Sequence, residues 1–342
     1  MNNSSVPSED NGTDDFDFEH FVTPWNQRVS CAVLFSTICI YGVMTNGAVI
    51  SLTLLTDLRH KIVNLFIANL SVSDFLCTAV FVSGQNFYIL YRETMPQSGC
   101  TWLAFINVIA AMQEFVFPPF LAINRYISLY HSHLYDQVYT GRNMALMAAS
   151  AWGYSTIIVS VFTLTGHAGF DRLNEHCCLI AEGNTTWTIV YWATIICPLI
   201  FIFDTTMVFC NWKIYKKLSA HMSNRDAVLK KSVVSENREI LYLMIIDMLL
   251  PICTHSLYNV VKFALPSRRP LATRQVFTVL FLSTAGIRGS MVILLLRPYR
   301  NAFIRHVLRR NANKVGSVTN GTSSTNGDTK PRSGANISNG QH

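Results

Sequence analysis

Seven long apolar stretches, separated by polar connections, dominate this sequence. A helix needs about 20 mostly apolar residues to cross the hydrocarbon core of a bilayer. Each stretch exceeds that length and holds no more than one Asp, Glu, Lys or Arg. Because backbone polar groups in lipid have to be bonded within the chain, the stretches predict helices. The pattern predicts an all-α membrane protein with a bundle of seven transmembrane helices, over residues 29–56, 62–90, 101–123, 143–166, 187–212, 240–261 and 275–296.

The composition agrees with a lipid environment. Of the 342 residues, 50% are hydrophobic and only 14% are charged, whereas soluble proteins carry about 25% charged residues. The mean hydropathy is +0.27. These values exclude a soluble two-domain protein, a disordered chain and a small disulfide-rich secreted domain.

The net charge of +7 is distributed unevenly. Basic residues gather in the odd-to-even connections and after the last stretch, while the N-terminal tail is acidic and holds no Lys or Arg before Arg28. Basic connections face the cytoplasm, so the N-terminus is predicted outside the cell, without a cleavable signal peptide. The charge is therefore a membrane orientation signal, and binding of nucleic acid is not expected.

Four segments follow from this pattern. Residues 1–28 form an acidic extracellular tail, 29–296 the seven spans, 297–310 an amphipathic cytoplasmic helix and 311–342 a disordered tail rich in Gly, Ser, Thr and Asn. The amphipathic helix is expected to lie on membrane lipid through its apolar face, with its arginines on the other side. Glycosylation sequons on the outer side stand at Asn2, Asn3, Asn11 and Asn184.

One outer connection breaks the charge bias, with Lys262, Arg268, Arg269 and Arg274 between the sixth and seventh stretches. These residues either attract an acidic ligand group or the acidic tail, or belong to a solvated loop without a role.

The outer side also holds three cysteines. Cys100 opens the third stretch, and Cys177 and Cys178 follow the fourth. Since that compartment is oxidising, one disulfide from Cys100 to Cys177 or Cys178 is expected.

Several residues and short motifs recur along the spans in an order and at spacings that are typical of one protein family. They are Asn46, residues 69–74 (Asn-Leu-Ser-Val-Ser-Asp), Cys100, Asn124-Arg125-Tyr126, Trp152, Pro198 and Pro251. On these residues the chain resembles the rhodopsin class of G-protein-coupled receptors. Residues 122–126, with His131, Ser132, Tyr135, Asp136 and Tyr139, are similar to the melatonin-receptor branch and its insect relatives such as Moody.

The resemblance implies roles for the end of the third span. Arg125, between Asn124 and Tyr126, would contact a heterotrimeric G protein in the active state; otherwise it is a helix-end anchor reaching to water. Most relatives have Asp at the position of Asn124, so one restraint on Arg125 is missing. The residue of span six that often pairs with this arginine is Lys231, which cannot form an ion pair with it.

Other positions depart from the family pattern. Leu249 replaces the tryptophan of span six, and Thr206 replaces a tyrosine of span five. The seventh span lacks Asn-Pro-x-x-Tyr; its equivalent, aligned through residues 297–300, is residues 288–292, Arg-Gly-Ser-Met-Val. These departures leave open a receptor-like protein that does not signal. A transporter and an enzyme are weaker alternatives, and no metal or cofactor is expected.

The resemblance also bears on charges inside the spans. In relatives the positions of Asp74, Glu114 and Arg288 surround a bound sodium ion. Here the Arg288 guanidinium is expected to replace sodium and bridge the two acids; alternatively it points to a watery crevice.

The third-span position where amine receptors carry an acid is Asn107, which cannot neutralise an ammonium group. The extracellular ligand is therefore expected to be something other than an amine.

Overall fold

The computed structural model describes most of the helical part of the chain. The described residues are 25–91, 96–171, 176–179, 185–223, 239–243, 245–246, 249–250, 253 and 271–308. Predictions for the N-terminal tail, Asn184, Lys262, Arg268, Arg269 and the C-terminal tail lie outside them. The chain divides into two units, residues 1–300 and 301–342, and the features discussed below belong to the first.

The helices follow the apolar stretches. In chain order they are α1 (Trp25–Leu55), α2 (Ile62–Tyr91), α3 (Gln97–Tyr130), α4 (Ser132–Val138), α5 (Gly141–Leu164), α6 (Thr185–Tyr191), α7 (Thr205–Ser223), α8 (Leu271–Leu295) and α9 (Arg297–Phe303). In the described part of the chain, five helical stretches are long and apolar enough to cross a membrane, and Leu282–Leu295 is a shorter apolar helix. Residues 239–243 are also helical, and most of the sixth predicted stretch lies outside the description. The fold is the predicted all-α seven-transmembrane bundle.

The fifth span changes its helical geometry around Pro198. Proline has no N–H to give to the carbonyl four residues earlier, which is that of Thr194. Residues Trp192–Ile196 and Pro198–Asp204 adopt π-helical turns between α6 and α7. The Thr194 carbonyl accepts a hydrogen bond from the Tyr154 hydroxyl of α5 at 3.0 Å. A neighbouring helix thus helps to satisfy the backbone that the proline disturbs.

Glycines let α8 pack closely against α1. A Cβ added to Gly289 would lie 2.7 Å from the backbone nitrogen of Asn46, and one added to Gly42 would lie 3.0 Å from the Cα of Gly286. Backbones that approach this closely need small residues, as is common between membrane helices. Asn46 fixes the contact because its amide donates to the Ala285 carbonyl at 2.9 Å.

A two-stranded hairpin, β1 (Ala168–Asp171) and β2 (His176–Leu179), follows α5. The strands are antiparallel, and Cys177 lies opposite Phe170. Since neighbouring side chains of a strand point to opposite faces, only one of two adjacent cysteines can meet α3. The structure joins Cys177 to Cys100, with a Cα–Cα distance of 5.2 Å.

At the opposite end of the bundle, Tyr299 of α9 is fully buried. Its hydroxyl shares a hydrogen bond of 2.9 Å with Thr53 of α1 and donates to the Asn64 carbonyl of α2 at 3.4 Å. Burial raises the pKa of the Tyr299 phenol, and the hydrogen bond with Thr53 acts weakly in the other direction. Tyr299 therefore stays neutral and fixes the start of α9 against α1 and α2.

Candidate functional site

Three charged side chains meet in the middle of the bundle. Asp74 of α2, Glu114 of α3 and Arg288 of α8 are 0%, 1% and 1% exposed. One guanidinium nitrogen of Arg288 donates to Asp74 Oδ1 at 2.6 Å, and the other lies 3.6 Å from Glu114 Oε2. One arginine thus connects carboxylates on two other helices. The three side chains form what we call the charge cluster.

The cluster is electrostatically asymmetric. Arg288 is closer to Asp74 than to Glu114, by 2.6 Å against 3.6 Å, so the first contact is a charge-assisted hydrogen bond and the second a looser ion pair. Two carboxyl groups and one guanidinium leave the cluster one positive charge short of neutrality. Such groups are costly away from water unless they are paired, so the pairing constrains how α2, α3 and α8 can be arranged.

Asn107 lies between the cluster and the N-terminal, predicted outer end of α3, and it is 7% exposed. Its side-chain oxygen accepts a hydrogen bond from the Cys77 thiol of α2 at 3.4 Å. The predicted ligand-pocket residue thus takes part in the contact between α2 and α3.

The C-terminal end of α3, which is its predicted inner end, holds the Asn124-Arg125-Tyr126 motif. The Asn124 amide donates to the Tyr135 hydroxyl of α4 at 3.3 Å. Close by, Tyr139 is buried, which raises the pKa of its phenol, and the neighbouring Tyr135 adds to that effect. Tyrosines of the following segment thus surround Asn124, and Arg125 beside it is half-buried.

The same end of α3 is fastened to α7 by residues that the sequence did not point to. The Tyr130 hydroxyl donates to the Lys213 carbonyl at 2.8 Å. The Lys217 ammonium donates to the Leu129 carbonyl and lies 4.5 Å from the centre of the Tyr130 ring. Tyr126 stacks on Tyr130 with ring centres 4.9 Å apart. An ammonium group at the C-terminal end of a helix is favourable for the helix dipole.

A second contact that the sequence did not predict joins the start of the sixth span to α9. Glu239 Oε1 lies 2.5 Å from the Arg297 guanidinium, and Oε2 accepts from the Arg297 backbone N–H at 3.3 Å. The Glu239 carboxylate thus caps the first turn of α9. Both residues adjoin apolar stretches, where single charges are common, so the sequence offered no signal for the pair.

Other predicted positions lie apart from these contacts. Leu249 is 50% exposed, and the Thr206 hydroxyl donates to its own helix, at the Ile202 carbonyl. Arg274 lies in the first turns of α8, which begins at Leu271. Within the described ranges, no group of three or more His, Cys, Asp or Glu side chains could hold a metal ion.

A known protein family matches most of the chain. The family model "7 transmembrane receptor (rhodopsin family)" matches residues 45–289. That range contains the charge cluster, the Asn124-Arg125-Tyr126 motif and both disulfide cysteines.

Curated relatives are distant and cover part of the chain. The neuropeptides B/W receptor type 1 of Bos taurus is 24% identical over 155 residues, which are 44% of this chain and 46% of that receptor. The G-protein coupled receptor moody of Drosophila pseudoobscura pseudoobscura is 21% identical over 58% of this chain and 30% of its own length. Melatonin receptor type 1B-B of Danio rerio is 22% identical over 48% of each chain. The chain thus spans about half or less of the length of the curated relatives it matches.

Among solved structures, the fold is similar to that of squid rhodopsin. The TM-score is 0.71 at 14% sequence identity, and the match covers 88% of this chain and 94% of the other. At this identity the match shows the fold alone.

Proposed function

This chain belongs to the rhodopsin family of seven-transmembrane receptors, and we propose that it couples an extracellular ligand to a heterotrimeric G protein. Its N-terminus and the predicted glycosylation sites Asn2, Asn3, Asn11 and Asn184 then lie outside the plasma membrane, which the chain crosses several times. Arg125, flanked by Asn124 and Tyr126, is the proposed G-protein contact.

The observation that carries this proposal is the construction of the inner end of α3. Arg125 stands between a hydrogen bond from Asn124 to α4 and a set of contacts from Tyr130 to α7. Arginine at such a site can bond to backbone carbonyls of a docking partner through several donors. A helix end that is held by two neighbours and carries a half-buried arginine suits a surface that a partner engages.

The residue at position 107 argues against one class of ligand, the amines. Asn107 replaces the acid that amine ligands need, and its oxygen already accepts from Cys77. We propose a ligand without an essential ammonium group. The outer basic residues Lys262, Arg268, Arg269 and Arg274 provide positive charge for an acidic ligand group.

We also infer that Arg288 supplies a built-in cation where the family resemblance implies bound sodium. The support is the position of its guanidinium, 2.6 Å and 3.6 Å from the two carboxylates, with the side chain 2% exposed. A fixed guanidinium cannot leave as an ion can, so the link between α2, α3 and α8 is permanent in the folded chain.

A cell-based experiment tests the coupling. Wild type and Arg125→Ala are expressed at matched surface density, and reporters for several G-protein classes are read without ligand and during a ligand-library screen. The wild type should activate at least one reporter, and Arg125→Ala should lose most of that signal. If neither chain gives a signal above background in any reporter while both reach the surface, the receptor-like alternative that does not signal is correct, as the changes at Leu249 and in residues 288–292 would allow. Equal signals above background would show that Arg125 is not the G-protein contact.

A further inference from the structure

One outward face of α7 combines two aromatic rings with two lysines. Phe209, Trp212, Lys213 and Lys216 follow the spacing i, i+3, i+4, i+7, which places them on one side of a helix. Phe209 is 48% and Trp212 54% exposed. The predicted fifth apolar stretch ends at Trp212, so this face, which we call the Trp212 face, stands where the hydrocarbon ends.

Both lysines are directed at the same indole. The Lys213 ammonium lies 5.1 Å from the centre of the Trp212 ring and 5.6 Å from that of Phe209. The Lys216 ammonium lies 5.8 Å from the Trp212 ring. Two positive charges therefore converge above one exposed ring.

No acid compensates these charges in the part of the chain that the structure describes. The sequence of α7 contains no Asp or Glu, and the ion pairs seen for Arg288 and Arg297 have no counterpart at Lys213 or Lys216 among the described residues. Within the described ranges, the Trp212 face thus offers two cations without an acidic partner beside an apolar surface.

Lys217 shows how a lysine of the same helix can be used differently. Its ammonium donates to the Leu129 carbonyl and lies over Tyr130 of α3. That charge serves the contact between α3 and α7, whereas those of Lys213 and Lys216 are directed outward.

We propose that the Trp212 face binds an anionic phospholipid of the cytoplasmic leaflet. The headgroup phosphate lies between the two ammonium groups, and an acyl chain runs along Phe209 and the exposed Val208. The indole lies at the level of the lipid esters, where tryptophan is enriched in membrane proteins. Anionic lipid is concentrated in that leaflet and attracts basic residues next to a span. Because lysine is a point charge rather than a planar fork, the site selects negative charge more than headgroup shape.

The test compares lipid binding by the full chain and two variants in nanodiscs of phosphatidylcholine with a minor fraction of dansyl-phosphatidylserine. Energy transfer from tryptophan, against the same label on phosphatidylcholine, gives the preference for anionic lipid. The wild type should prefer phosphatidylserine, and Lys213→Gln/Lys216→Gln should lower that preference about tenfold. Lys217→Gln removes a charge from the same helix and should keep the preference while lowering the unfolding temperature.

Two further arms make the result decisive. Arg59→Gln/Lys61→Gln removes two positive charges from the connection between α1 and α2, and should leave the preference unchanged even if Lys217→Gln does not fold. Soluble glycerophosphoserine should fail to displace the labelled lipid, since it lacks the acyl chain. A wild-type preference in Lys213→Gln/Lys216→Gln, an equal loss in Arg59→Gln/Lys61→Gln, or displacement by the soluble headgroup would overturn the proposal.

Discussion

Arg288 and Arg125 place the same side chain at two different depths of the bundle and beside different neighbours along the chain. Arg288 is buried in mid-bundle and reaches two carboxylates on other helices. Arg125 is half-buried at the inner end of α3, and its neighbours along the helix are the neutral Asn124 and Tyr126. The family resemblance implies the reverse arrangement in most relatives, with an acid beside the α3 arginine and an uncharged residue at the position of Arg288. Arg288 thus links three helices through charge in mid-bundle, whereas the residues next to Arg125 along its own helix are uncharged.

The largest expected effect comes from breaking the cluster. Arg288→Ala leaves two buried carboxyl groups without their cation, and loss of one partner of a buried ion pair costs about 3–5 kcal/mol. Surface expression and the unfolding temperature should both fall sharply, while Arg59→Ala, an exposed position, should change little. Adding Asp74→Asn and Glu114→Gln to Arg288→Ala should restore part of the loss. Equal losses in Arg288→Ala and Arg59→Ala would show that the cluster is not a stabilising link.

A smaller loss is expected when α8 is pushed away from α1 beside Arg288. In Gly289→Ala the added methyl group would lie 2.7 Å from backbone atoms of Thr45 and Asn46, which cannot move independently of α1. Such overpacking costs about 1–3 kcal/mol. Gly153→Ala is the matched control, because an added Cβ there meets no atom within 4 Å. Thermal unfolding should rank Gly289→Ala well below both Gly153→Ala and the wild type.

Replacing Asn124 by the aspartate that the family resemblance implies for most relatives tests the surroundings of Arg125. In Asn124→Asp a carboxylate stands beside Arg125 and can accept from the Tyr135 hydroxyl, which strengthens the restraint by about 1 kcal/mol. Basal G-protein activation should fall by about fivefold. Asn124→Ala removes the hydrogen bond without adding charge, and its basal activity should be equal to or above that of the wild type. A rise in Asn124→Asp would mean that the uncharged residue at position 124 is not what permits basal activity.

The smallest expected effect is a response to sodium. If Arg288 is the built-in cation, replacing choline chloride by sodium chloride at equal ionic strength should not change the unfolding temperature of the wild type. Arg288→Ser, provided that it folds, leaves Asp74 and Glu114 around a small hydroxyl and should become more stable in sodium. Clear stabilisation of the wild type by sodium would remove the argument for a built-in cation.

The sequence predicted the features that depend on local pattern or on rarity. Apolar stretches of span length predicted the helices. Single charges inside those stretches marked Asp74, Glu114 and Arg288 together with Asp204 and Asp247, and the family resemblance grouped the first three, which the structure brings together. Their role as a replacement for sodium stays a prediction.

Features set by tertiary register could not be predicted. The choice between Cys177 and Cys178 depends on which face of β2 turns towards α3, and the sequence does not fix that register. In the sequence Lys217 cannot be distinguished from the other lysines of its helix, because its contact with α3 depends on how the two helices pack. Glu239 and Arg297 lie 58 positions apart, and only the packing of the inner end brings them into contact.

The contact between Asn46 and Ala285 joins residues 239 positions apart. At about 5–20 residues per second, a ribosome needs on the order of 10–50 s after making Asn46 before its partner exists. Throughout that interval the side of the first helix that will contact α8, which carries the Asn46 amide, lacks its partner from that helix. The last helix can pack against the first only after it has been synthesised. A chain that stops before Gly286 therefore lacks the part that completes the bundle.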